Sequence, residues 1–104
     1  MITAKFFMQD AELIGFDISG HSGYADAGSD IVCAAVSSAV SLCECAVNDM
    51  FGADAQVSVC EENAQVCLRL IKPCREAERV LQALKLQLLN IEEQFPQYIQ
   101  VLEV

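Results

Sequence analysis

Two residues of this chain have the types and spacing for joint covalent chemistry, a cysteine at 33 and a histidine at 21. Both lie in Gly20 to Ser37, GHSGYADAGSDIVCAAVS. A thiol enzyme needs a thiolate, a base to make it, and donors for the oxyanion that forms on attack. Ser29 or Asp30 can accept bonds from the first free N–H groups of a helix. With Asp30 as that cap, Cys33 falls in the first turn, where the helix dipole favours negative charge and lowers a thiol pKa. The same N–H groups could hold an oxyanion. His21 is the single histidine of the chain, and a loop of this length can fold back to bring the two side chains within ~3–4 Å. Asp30 could orient the imidazole or only cap the helix.

The surrounding residues suit a binding loop. Gly20, Gly23 and Gly28 make the segment pliable, as loops that close over substrate need to be. Tyr24 is an aromatic placed for peptide contact. Ser37 follows Cys33 by one helical turn, so it either touches the site or lets the helix pack closely. The plain alternative is that Cys33 is a core thiol and His21 an ordinary loop residue. Elsewhere, Asp10, Glu12 and Asp17 read as solvated hairpin carboxylates, and Glu44 as a surface residue. Cys43, Cys45, Cys60, Cys67 and Cys74 read as small buried hydrophobes in a reducing compartment. They form no C-x-x-C pair, and His21 has no second ligand at zinc-like spacing, so no metal site is expected. No phosphate loop, EF-hand or zincin motif is present.

The elements that must position these residues follow from periodicity. Residues 3–8 and 12–18 alternate as strands, Ile14, Phe16 and Ile18 on one side, with Gln9 and Asp10 at the turn. A helix is expected from Ser29 or Asp30 to about Phe51. Val32, Val36, Val40, Cys43, Val47 and Met50 form its apolar stripe, and Gly52 its C-terminal stop. Its many Ala and Ser residues would let it approach a sheet or another helix closely. Residues 56–60 and 65–71 form a second hairpin about Glu61-Glu62-Asn63. A second helix runs from about Arg75 to Phe95, with Ala77, Leu81, Leu84, Leu88, Ile91 and Phe95 at helical spacing, and Pro96 ends it. Residues 98–103 close the chain as a strand. The order is ββαββαβ, an α+β fold with two helices on one mostly antiparallel sheet. Leu86 and Leu89 widen the second helix's apolar face beyond what a sheet covers, which suits a partner subunit.

The whole chain, residues 1–104, is expected to be a single domain. It is 54% hydrophobic and 20% charged, which excludes disorder. The apolar stretch Ile31 to Val47 is interrupted by Ser37, Ser38, Ser41 and Glu44, so no membrane span is expected. The start, MITAKFFMQDAEL, lacks a secretion signal's apolar region. Net charge is −9, and residues 1–63 hold ten acids against Lys5 alone. Nucleic acid is therefore not expected as a direct partner, while a basic peptide would be steered favourably.

Gly20-His21, then Asp30-Ile31-Val32-Cys33-Ala34 with Ser37 following, resembles the bacterial ribosomal-processing cysteine protease family Prp, and the resemblance spans the chain. It implies a homodimeric cytoplasmic enzyme without metal or cofactor. Its substrate would be an unprocessed large-subunit ribosomal protein, from which a short N-terminal extension is cut after an aromatic residue. By position Cys33 matches the nucleophile, His21 the general base and Asp30 the motif aspartate. The loop at 20–29 matches a segment that rearranges around substrate. From the residues themselves, Gly20, Gly23, Tyr24 and Ser37 are the expected substrate contacts. Two other classes compete. One is an acidic ribosome-assembly adaptor that binds a basic ribosomal protein without cutting it. The other is a thiol-redox protein, which lacks the usual C-x-x-C.

Overall fold

The structure, a computed structural model, describes residues 1–21 and 30–104. Strands β1 (Ile2–Gln9) and β2 (Glu12–Ser19) form the first hairpin, followed by helix α1 (Ile31–Glu44). The helix continues as a π-helical segment, Cys45–Met50, before β3 (Ala55–Cys60), β4 (Gln65–Leu70), helix α2 (Arg75–Gln94) and β5 (Ile99–Glu103). The five strands make one sheet in the order β3-β4-β2-β1-β5, antiparallel throughout except for the parallel pair β1 and β5.

Both hairpins are set by their turns. Gln9 pairs with Glu12, leaving the two-residue loop Asp10-Ala11, and both of these have positive φ (52° and 65°). That is the primed turn whose twist matches the strands it joins. Cys60 pairs with Gln65 around a four-residue loop in which Ala64 N–H donates to Glu61 O and Ala64 takes φ 47°.

The core lies between the sheet and the helices. Phe6, Phe16, Ile18 and Leu68 face inward from the sheet and are buried, with the Phe6 and Phe16 rings 6.3 Å apart. Val32, Val36, Val40, Cys43 and Val47 meet them from α1 and its extension, and Ala77, Leu81, Leu84, Leu88 and Ile91 from α2. A residue on a strand faces one side and its neighbour the other, so Phe7 lies on the open face of the sheet. Arg69 stacks on it at 4.4 Å, across Gly15, which stands between them in register. A Cβ on Gly15 would lie 2.1 Å from Leu68 O, so this crossing requires glycine. β5 is tied to α2 by Val101 N–H donating to Glu92 at 2.7 Å and by the pair Lys85–Glu103.

Helix α1 departs from expectation in two ways. Most of its small residues make no packing contact: Ala34, Ala35, Ser37, Ser38 and Ser41 are exposed, only Ala39 packs against the core, and the valines do most of the packing. Met50 leaves the apolar stripe and is 74% exposed. The cause is the switch to i→i+5 bonding, as in Phe51 N–H to Ala46 O at 3.0 Å, which widens the turn and rotates the last residues outward. Gly52 then takes φ 57° and stops the helix, letting Ala53 N–H reach Val47 O at 2.9 Å. Residues 31–50 have the length and hydropathy (1.7) to cross a membrane, but their apolar stripe packs against the sheet and α2.

Candidate active site

Helix α1 begins at a buried aspartate. Asp30 is 6% exposed, has extended backbone (φ −75°, ψ 104°), and its Oδ1 accepts from Val32 N–H at 3.0 Å and Cys33 N–H at 3.1 Å. Its own carbonyl accepts from Ala34 N–H at 3.1 Å. Asp30 is thus the helix cap, and this fixes the backbone on which Cys33 stands. The expectation that first-turn N–H groups are open for an oxyanion is corrected for two of them. Those of Val32 and Cys33 already donate to the Asp30 carboxylate, because a short side chain at the cap reaches them first.

His21 is placed by Gly20. Gly20 has φ 93°, and a Cβ there would sit 2.5 Å from Met1 O. Its N–H donates to Asn63 O at 3.2 Å, in the β3–β4 turn. The end of β2 is therefore held between the chain start and that turn, in a backbone conformation that favours glycine. His21 leaves from there, exposed.

The two ends meet at one cleft of about 340 Å³. His21 and half-buried Cys33 both line it, with Gly20 and Ser37. Its apolar walls are Ile2, Ile18 and Val66 from the sheet and Val36 and Val40 from α1. Cys33 sits in the first turn of α1, where the helix dipole favours a thiolate, and an imidazole lines the same cleft. Of the sequence candidates, Cys33, His21, Gly20 and Ser37 come together here, and Asp30 supports them from behind. Gly23 and Tyr24 lie outside the described residues.

Three cleft residues escaped sequence reasoning. Ser41 and Glu44 line it along α1, and Ala64 opposite. Glu44 is half-buried rather than a surface residue, and burial pushes its carboxyl above the ordinary range. The signal was present in the spacing, since 33, 37, 41 and 44 follow one helix face at steps of three and four. The other thiols lie apart from this cleft. Cys43 is buried, and desolvation, with Glu44 beside it, pushes its pKa up to about 12. Burial and Asp17 also push Cys67 up, against an opposing effect of Arg69. Among the described residues no group of metal-ligating side chains is gathered.

A two-layer α+β fold with a helix-capped thiol and an imidazole in one cleft defines a thiol-dependent hydrolase by class. The family model for the cysteine protease Prp matches residues 1–100, and the chain belongs to that family of cysteine proteases. The fold is similar to an essential ribosomal-processing protease Prp from S. aureus, solved with a covalently linked product peptide. The two share 23% identity over the whole of both chains, with a TM-score of 0.95. The same protease with a substrate peptide gives a TM-score of 0.89 at 22% identity, again over both whole chains. SMU.848 from Streptococcus mutans gives 0.86 at 23% identity, covering all of this chain and 94% of that one. Comparison with curated proteins gives no significant match.

Proposed function

We propose that this protease is a cysteine endopeptidase that removes a short N-terminal extension from a large-subunit ribosomal protein. The observation that carries the reading is the shared cleft of Cys33 and His21 at the start of α1. The relative from S. aureus, a ribosomal-processing protease that holds peptides, supports the substrate class.

In this mechanism His21 takes the Cys33 thiol proton as Sγ attacks the scissile carbonyl carbon. The tetrahedral intermediate collapses to a thioester as His21 returns the proton to the leaving amine. Water, deprotonated by His21, then attacks the thioester, releasing the carboxylate and restoring the thiol. Asp30 acts by holding the first turn of α1 in place, and orients His21 as the motif aspartate. Gly20, Gly23, Tyr24 and Ser37 contact the peptide, and the apolar cleft walls suit an aromatic residue before the cut. No metal or cofactor takes part.

The enzyme acts in the bacterial cytoplasm as a homodimer. Exposed apolar residues support the latter: Leu86 at 63%, Leu42 at 72% and Met50 at 74%. The test is cleavage of a peptide spanning the extension's junction. Cys33→Ala and His21→Ala should each lower kcat/KM by at least ~10³-fold, with folding unchanged. Full activity in Cys33→Ala would overturn the assignment.

A further inference from the structure

The mechanism uses one end of the cleft and leaves Glu44, at the other end, without a role. Helical spacing puts Cys33, Ser37, Ser41 and Glu44 on one face of α1, and all four line the cleft. A carboxylate taken partly out of water gains from any hydrogen-bond donor or cation brought to it. The ion pairs among the described residues, Lys72–Asp54 and Lys85–Glu103, do not involve Glu44. Residues 22–29 contain no lysine or arginine that could supply one. A cation carried by the occupant of the cleft would meet there a carboxylate unpaired among the described residues.

Its distance from the reacting bond follows from helix geometry. Eleven residues of helix rise ~16 Å, and helical side chains lean toward the N-terminus, which brings the carboxylate somewhat closer to Cys33. An extended peptide advances ~3.3 Å per residue, so about four residues span the interval. We propose that Glu44 is the specificity-determining residue of the cleft, receiving a lysine or arginine side chain of the substrate about four residues from the bond that Cys33 attacks. This rests on the protease reading.

The test uses the full chain and quenched fluorescent peptides cut by the wild type. Lysine or glutamine is placed in turn at positions two to six residues from the cut, on each side. The wild type should favour lysine over glutamine at least tenfold in kcat/KM at one position. Glu44→Gln should reduce that preference below twofold while still cutting the glutamine peptides, and Glu44→Lys should turn it toward glutamate. An equal lysine preference in wild type and Glu44→Gln, or none at any position in the wild type, overturns the proposal and leaves the protease reading intact. Failure of the folded wild type to cut any junction peptide overturns both.

Discussion

At the scale of the residue, Asp30 shows how one side chain can serve fold and chemistry together. Its Oδ1 holds the N–H groups of Val32 and Cys33, so losing it frees two donors beside the proposed nucleophile. Asp30→Ala should cost about 1–2 kcal/mol in denaturant unfolding, and Asp30→Ser should keep most of that stability because a hydroxyl still caps. The thiols separate by environment. With its pKa pushed up to about 12, Cys43 stays protonated where an ordinary thiol ionises. Alkylation of the folded protein near pH 9 should therefore spare Cys43 and modify exposed Cys45, as peptide mapping would show. The linkage has a definite sign. Between the ordinary value of 9.0 and about 12 the folded chain keeps a proton that the unfolded chain has released. The Cys43 contribution to stability is thus full below pH 9 and is lost as pH rises through that window. Denaturation midpoints of wild type and Cys43→Ala, compared from pH 8 to 10.5, should converge toward the alkaline end.

At the scale of the element, the two hairpins, the two helices and the last strand were legible because their apolar residues keep period two or period three to four. Phe16 and Ile18 show the first pattern, which breaks at the register shift that buries Leu13 in place of Ile14, and Leu81, Leu84 and Leu88 show the second. Strand order was not legible, since nothing local in Ile2–Phe6 says that it pairs in parallel with Ile99–Glu103. Nor was the π-helical segment, because the stripe from Val32 to Met50 suits an unbroken α-helix. Cys33 and His21 could be named from sequence, but not the cleft that joins them, which depends on Gly20. That glycine is held between Met1 and Asn63. Gly20→Ala meets both a positive φ and the Met1 carbonyl. It should lower kcat/KM on junction peptides by tenfold or more while circular dichroism shows the fold retained, since His21 would leave β2 in another direction. Unchanged activity would contradict the role given to this glycine.

At the scale of the whole molecule, charge and cleft work together. The net charge is −9, and residues 1–63, which supply both catalytic candidates and Glu44, hold ten acids against Lys5. A basic substrate should be steered to such a surface, and salt should screen the attraction. Raising ionic strength from 0.05 to 0.5 M should lower kcat/KM for a lysine-rich junction peptide several-fold and leave a neutral analogue nearly unchanged. The most direct test of the central claim is the intact mass of the unprocessed ribosomal protein from the same genome after incubation with the reduced enzyme. The account predicts a single N-terminal truncation, absent with Cys33→Ala. An unchanged mass with a folded wild-type enzyme would contradict it and favour an acidic adaptor that holds the ribosomal protein uncut.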